Sequence, residues 1–404
     1  MIKFLRKLGP GLLFAGSAIG VSHLVQSTKA GANFGFGLLW ALVAINIIKF
    51  PFFQFGPRYA AATGENLLEG YKKLGKIFLK IYITLSFATM FTIQTAVTVV
   101  TAAIASSLFG NGINIENWTL IILFFCFLIL LVGKFTLLDK LIKIIILILS
   151  TTTLIVVINA FMNLKYNINW VQVFPSNSYD IIFLIAFMGW MPAPLDVSIW
   201  QSIWVLEKQK ITPDFEKKSI LKDFNIGYIV TTILAIGFLS LGSLVMYRSN
   251  TTLSDNGSTF SIQLIEMYTS SLGNWSYFII GIAALTTMLS TTLTTLDASP
   301  RTMNKSIELI CGKPIESGYN YWITILILGT LIIFLFFSSE MDELVKIATI
   351  LSFVTAPIYA LMNYLLICSK HTPVNYRPTI FMHFMSIFGI IFLIVFNIWY
   401  ISIL

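Results

Sequence analysis

Long apolar runs recur along the whole chain and are separated by short polar segments. A run of about 20 apolar residues is long enough to cross roughly 30 Å of bilayer hydrocarbon as a helix. The pattern therefore predicts an all-α polytopic membrane protein. Its eleven predicted spans lie at residues 9–30, 36–57, 80–108, 118–133, 141–162, 180–206, 223–247, 275–298, 321–338, 343–368 and 379–403.

Composition and charge agree with this interpretation. Hydrophobic residues make up 57% of the 404 positions and charged residues 11%, and the mean hydropathy of +0.84 is far from that of soluble domains. With the N-terminus in the cytoplasm, 21 of the 26 basic residues fall on the inner side, and only Lys165 and Arg248 fall in outer loops. This positive-inside asymmetry predicts a cytoplasmic N-terminus and a C-terminus outside. The short loops favour a bacterial inner membrane.

The sixth span is interrupted at its middle by MGWMPAPLD, residues 188–196. Pro192 and Pro194 lack an amide donor and disfavour helix in the residue before each of them. A backbone break inside a bilayer is tolerated where it lines a cavity within the protein. We therefore expect free carbonyl ligands near residues 187–190, with an ordinary proline kink as the alternative.

The first span carries a second interruption, GSAIGVSHL, in which glycines and serines surround His23. Spans one and six occupy corresponding places in two five-helix halves, which is how inverted-repeat transporters build a midplane site. The pattern predicts one transmembrane domain. It comprises a first repeat at residues 1–162, a second at 180–368 and an additional helix at 379–403.

Several stretches resemble the natural-resistance-associated macrophage protein (Nramp) metal-ion transporters. They are GPGLLFAGSAIGVSHLVQSTKAGANFGFGLLW, ATGENLLEG, GWMPAP and SFVTAPIYALMNYLL, which together span most of the chain. The resemblance implies a LeuT-like fold of 5+5 inverted repeats with the substrate between helices one and six.

The chain departs from the family signatures at the residues that carry the chemistry. Where the family has Asp-Pro-Gly-Asn in helix one, this chain has Gly20, Val21, Ser22 and His23. Where it has Met-Pro-His in helix six, Ala193 stands in place of the histidine. Helices three and nine also lack the acids and arginines of the family's proton pathway. The resemblance thus implies the fold more firmly than the mechanism, and reduced proton coupling is expected.

The candidate substrate site is formed by residues at the two interruptions. His23, Met191 and Asp196 are the candidate metal ligands, because a thioether suits soft or borderline metals and a carboxylate can offset cation charge. The alternatives are a hydrogen-bonded histidine, methionine as core packing, and a buried ion pair between Asp196 and Lys49. The full set of candidate substrate-binding residues is Gly20, Ser22, His23, Met191, Ala193 and Asp196.

The eighth span has a face rich in hydroxyl groups, which includes Ser290, Thr291 and Thr294. Hydroxyl oxygens can coordinate a hard cation, and transporters of the resembled fold place a sodium site between helices one and eight. These three residues are therefore candidates for a coupling-ion site. The alternative is that the hydroxyls bond to carbonyls of their own helix.

The function that fits best is secondary active transport of a metal cation, by alternating access and with cation symport as one mode. The runner-up is cation-coupled transport of a small organic solute such as an amino acid. No nucleophile–base pair or metalloprotease motif is present, so no enzymatic activity, cofactor or nucleic-acid partner is expected. The expected partners are the transported cation or solute and the lipid bilayer, and the oligomeric state is left open.

Overall fold

The computed structural model describes residues 10–110, 112–132, 135–163, 167–211, 217–247, 253–254, 256–336 and 341–403. Within these ranges the chain is helical and contains no strand, which confirms the predicted all-α class. Fifteen α-helices are present in them: α1 (Pro10–Ala18), α2 (Thr28–Phe34), α3 (Leu39–Thr63), α4 (Leu67–Leu74), α5 (Lys76–Phe109), α6 (Ile115–Val132), α7 (Phe135–Met162), α8 (Ser178–Trp190), α9 (Val197–Ile211), α10 (Lys217–Val245), α11 (Gly257–Leu272), α12 (Tyr277–Cys311), α13 (Gly318–Phe336), α14 (Met341–Cys368) and α15 (Ile380–Ile401).

Seven of these helices are long and apolar enough to cross a membrane unaided, namely α3, α5, α10, α12, α13, α14 and α15. Shorter apolar helices lie at Ile115–Leu131, Leu147–Met162 and Ser178–Trp190. The remaining predicted spans are interrupted ones. The first broken helix consists of α1, a π-helix at Ser22–Ser27, and α2, and the second broken helix consists of α8 and α9.

Two helices, α4 and α11, have no counterpart among the predicted spans. The helix α4 begins with a capping box, in which the Asn66 side chain accepts from the Glu69 N–H and the Glu69 carboxylate accepts from the Asn66 N–H. Asn256 caps α11 by accepting from the Thr259 N–H. Both helices are too short to cross a bilayer, and hydropathy alone therefore passes over them.

Glycines let the first broken helix pack backbone to backbone on α10. A Cβ at Gly31 would overlap the Leu239 carbonyl, and one at Gly242 would overlap the Thr28 carbonyl. Gly227 makes the same kind of approach to Gly11. Small residues at helix interfaces are the usual means of close packing in membranes. We call this contact the glycine seam.

The second broken helix packs on α3 and α14. Gly56 of α3 approaches the Ser198 carbonyl of α9, and Gly189 of α8 approaches the Thr349 carbonyl of α14, each too closely for a Cβ. Trp190 donates from Nε1 to the Ser352 Oγ at 2.7 Å. Each broken helix thus rests on a continuous helix through contacts that admit no side chain, and this fixes where the two breaks lie.

Candidate functional site

The first helix break lies where sequence places glycine and serine. The α-helix ends at Ala18, and Gly20 donates its N–H to the Ala18 carbonyl at 3.0 Å instead of continuing the ladder. The chain resumes as the π-helix Ser22–Ser27, in which all six residues are buried. The predicted opening of the backbone is therefore present, at Ile19 and Gly20, shortly before His23.

The second helix break lies at the two prolines. The helix α8 ends at Trp190, Met191 is extended with φ −87° and ψ 125°, and α9 begins at Val197. The prolines explain this geometry, because neither can donate to a helix ladder. The backbone opens over residues 191–196, and an ordinary proline kink is excluded.

The two breaks meet at Ser22. Its Oγ lies 2.8 Å from the Ala18 carbonyl oxygen and 3.3 Å from the Pro192 carbonyl oxygen. Beside this contact is a cavity of about 20 Å³, which is room for about one water molecule. Three predicted substrate residues line it, Gly20, Ser22 and Ala193, together with Ile93, Trp190, Thr291 and Thr295 among others. Thr295 was not predicted.

His23 does not line this cavity. Its imidazole is fully buried between helices, with Nδ1 2.7 Å from the Ser22 Oγ and Nε2 3.0 Å from the Thr231 carbonyl oxygen on α10. Since a carbonyl only accepts, Nε2 carries the proton and donates. Both ring nitrogens therefore have hydrogen-bond partners, as in the alternative in which His23 is a hydrogen-bonded helix residue. Metal ligation by His23 stays a prediction.

Met191 and Asp196 also lie outside the lining of the cavity. Met191 is fully buried in the main hydrophobic core. Asp196 is 5% exposed, and its Oδ1 has no hydrogen-bond partner. Its carboxylate interacts electrostatically with the phenols of Tyr82 and Tyr359, and the Tyr359 hydroxyl is likewise buried without a partner. Sequence reasoning missed both tyrosines, which lie on α5 and α14.

Lys49 corrects two expectations. Its Nζ donates to the carbonyl oxygens of Met188 at 2.8 Å and Gly189 at 2.7 Å, with the Ala193 carbonyl at 3.5 Å. The carbonyls of Met188 and Gly189 are therefore not free ligands, because a lysine from α3 already bonds to them. The buried ion pair between Lys49 and Asp196 is also wrong: no such pair exists across the described residues.

The hydroxyl-rich face of α12 meets the end of α1. The Thr291 Oγ1 lies 3.3 to 3.4 Å from three carbonyl oxygens, those of Gly16, Ile19 and Thr287. One hydroxyl donates only one proton, so these carbonyls keep accepting capacity. The neighbouring Ser290 Oγ is buried without a partner. The Thr291 Oγ1 and the three carbonyl oxygens form a cluster of four oxygens, which we call the α1–α12 oxygen cluster.

Thr294 differs from the other two coupling-ion candidates. Its hydroxyl donates to the Ser290 carbonyl of its own helix at 2.7 Å. That is the local bonding typical of threonine in membrane helices. Thr291 is thus the candidate that contacts the end of α1, whereas the Thr294 hydroxyl bonds within its own helix. Among the described residues, no three His, Cys, Asp or Glu side chains converge on a metal-sized space.

Two larger openings lie at opposite ends of α3. The Asp342 vestibule, about 680 Å³, lies beyond the start of α3, and Lys29 pairs there with Asp342 at 2.5 Å. The Arg301 vestibule, about 620 Å³, lies beyond the end of α3, near Gly64 and Asn66. The small cavity at the helix breaks lies between them along the bundle. Openings on both sides of the small cavity suit a path through the molecule.

Comparison with known proteins identifies related sequences. The model of the family described as Natural resistance-associated macrophage protein-like, Nramp, matches residues 11–402. The uncharacterized protein PM0681 of Pasteurella multocida is 36% identical over 402 residues, covering 98% of this chain and 92% of its own length.

Solved structures share the fold at low sequence identity. A mutant of the Eremococcus coleocola manganese transporter is 15% identical, with a TM-score of 0.73 over 97% of this chain and 85% of that chain. Mhp1, a nucleobase-cation-symport-1 family transporter, is also 15% identical, with a TM-score of 0.62 over 98% of this chain and 92% of that chain. These likenesses confirm the predicted LeuT-like architecture.

Proposed function

Because the chain belongs to the Nramp family, we propose that it is a secondary active transporter that carries a small metal cation by alternating access. The observation that carries this proposal is the meeting of two helix breaks beside a small cavity. Interrupted helices that present free backbone groups at mid-bilayer are the usual substrate sites of such transporters. The activity is transport, and no catalytic step is proposed.

The size of the cavity favours a metal ion over the organic-solute alternative. Its volume of about 20 Å³ accommodates a single atom or water, whereas an amino acid needs several times more. The related solved protein from Eremococcus coleocola is a manganese transporter. We therefore take Mn²⁺ as the first cargo to test. Gly20, Ser22 and Ala193, which line the cavity, would face it.

Coupling to sodium is supported by the α1–α12 oxygen cluster. Oxygens alone suit a hard cation such as Na⁺, and the cluster joins the end of a broken helix to a continuous helix. An ion bound there would hold α1 against α12, and its release would let them separate. Few titratable groups lie near the cavity to carry protons instead, since His23 has both ring nitrogens engaged.

We place the Asp342 vestibule outside and the Arg301 vestibule in the cytoplasm. The distribution of basic residues supports this orientation, with the N-terminus in the cytoplasm and the C-terminus outside. A bacterial inner membrane fits the short loops. The two broken helices, one in each of the predicted repeats 1–162 and 180–368, would then rock around the small cavity, beside the additional helix 379–403.

Uptake by purified protein in liposomes tests the cargo and the coupling together. Radioactive Mn²⁺ uptake is measured with an inward sodium gradient, an inward proton gradient and neither, beside a panel of amino acids. We expect Mn²⁺ to accumulate and sodium to accelerate it. Uptake of an amino acid without Mn²⁺ uptake would replace the proposed cargo with the organic-solute alternative.

Two matched substitutions on α12 test the coupling site. Thr291→Val removes the hydroxyl that faces α1, whereas Thr286→Val removes a hydroxyl that bonds only within its own helix. We expect Thr291→Val to abolish the sodium dependence and Thr286→Val to preserve it. Sodium dependence that survives in Thr291→Val would remove this cluster from the mechanism.

A further inference from the structure

Lys49 is a fully buried lysine at the second helix break, and it has no acidic partner there. Its Nζ contacts two carbonyls at the end of α8, those of Met188 and Gly189, and one inside the break, that of Ala193. An ammonium has three N–H donors, and three carbonyl oxygens surround it.

These three carbonyl oxygens have the chemical character of a cation-binding site. The last carbonyls of a helix have no partner within it, and they carry the negative end of the helix dipole. Backbone carbonyls are also ligands that metal cations accept. Ala193 belongs both to this group and to the lining of the cavity, so the ammonium lies directly behind the proposed cargo site.

We propose that Lys49 is a tethered cation that competes with the transported cation for the carbonyl oxygens of the second helix break. The inference rests on the proposed function, since it assumes that a cation is carried. Charge is the reason for the competition, because a buried ammonium repels any cation that approaches the same oxygens. Cargo and ammonium therefore occupy the break in turn, and Lys49 must withdraw along α3 when cargo binds.

A role in capping α8 alone explains less of the geometry. A neutral amide side chain would satisfy the same carbonyls without the desolvation that a buried ammonium suffers. A cap for α8 also has no need of the Ala193 carbonyl, which lies inside the break. The competing role accounts for the charge of Lys49, for its burial and for its contacts with carbonyls both of α8 and of the break.

Binding of Mn²⁺ and Na⁺ to purified protein in detergent tests the inference. Lys49→Met keeps the length of the side chain and removes its charge, Lys49→Arg keeps the charge, and Lys208→Met removes a buried lysine away from the break. We expect Lys49→Met to bind at least one of the two cations tenfold more tightly or better. Lys49→Arg and Lys208→Met should stay within threefold of the unaltered protein. Unchanged or weaker binding by a folded Lys49→Met overturns the proposal.

A second measurement uses the unaltered protein, in case Lys49→Met does not fold. An experimental structure at saturating Mn²⁺ should show the metal at the Ala193 carbonyl and the Lys49 Nζ withdrawn from Met188 and Gly189. Lys49 retained on these carbonyls, with or without metal elsewhere, overturns the inference. The proposed function is judged separately, by Mn²⁺ uptake of the unaltered protein in liposomes.

Discussion

Asp196 and His23 are both buried near the helix breaks, but their polar atoms are in different situations. The His23 ring has a partner for each nitrogen, whereas the Asp196 Oδ1 has none. A buried polar atom without a partner is costly, and in a native protein it points to a missing ion or water. At the scale of single residues, we therefore predict that Asp196, rather than His23, serves a bound ligand.

We predict that Asp196→Asn lowers Mn²⁺ uptake at least tenfold while the protein still folds. An amide keeps the size of the side chain but cannot offset cation charge. Uptake in liposomes, corrected for the amount of protein inserted, measures the effect. Uptake equal to that of the unaltered protein would show that the carboxylate takes no part.

His23→Ala should act on stability instead. It removes the hydrogen bond from His23 to the Thr231 carbonyl, and a typical intramolecular hydrogen bond contributes about 0.5–1.5 kcal/mol to stability. A lower melting temperature in detergent, with the uptake per folded molecule preserved within about threefold of the unaltered protein, is the expected result. Loss of uptake by a His23→Ala protein of unaltered stability would return His23 to the site.

Gly20→Ala should impair transport by displacing Thr291. A Cβ at Gly20 would lie 2.7 Å from the Thr291 Oγ1, too close for an unchanged structure. Thr291 must then move away from the α1 carbonyls, and we expect the apparent affinity for sodium to fall at least fivefold. Sodium dependence of uptake measures this. An unaltered affinity would contradict the assignment of Thr291.

At the scale of elements, the N-terminus of α1 is held by Asp223 of α10, whose Oδ2 accepts the Gly11 N–H at 2.6 Å. A carboxylate there satisfies an unpaired helix donor and complements the helix dipole, which is worth about 1 kcal/mol. We predict that Asp223→Ala loosens α1 and raises the labelling rate of a cysteine placed at Ser17, with Asp223→Asn intermediate. Equal labelling in all three proteins would show that this contact does not hold α1.

The sequence predicts elements well where local chemistry decides them. Pro192, Pro194 and the glycines of helix one locate both breaks because they act on their own backbone. The partner of the freed carbonyls was not predictable, since Lys49 is 139 residues from Met188. The orientation of His23 depends on how the first broken helix is rotated against α10, which hydropathy does not encode. The same limit applies to Tyr82 and Tyr359 beside Asp196.

At the scale of the whole molecule, the basic residues predict which end faces the cytoplasm. In a background in which Cys126, Cys311 and Cys368 are serine, a cysteine at Lys73 and one at Asn274 should react with a membrane-impermeant reagent from opposite sides. Lys73 should label from the cytoplasmic side. Labelling of both from one side would contradict the predicted orientation of the spans.

The glycine seam has a consequence for the heat-dependence of the cycle. Its contacts are made by backbone atoms, which have no rotamers to exchange, so the first broken helix and α10 can move as one body without repacking. The activation enthalpy of transport should therefore arise at the interfaces that carry large side chains, as between α8 and α14, where Trp190 bonds to Ser352. An Arrhenius plot of uptake should become shallower when Trp190→Phe removes that bond. In a control that changes only lipid-facing residues of α15 and leaves the glycines of the glycine seam unaltered, the plot should keep its slope.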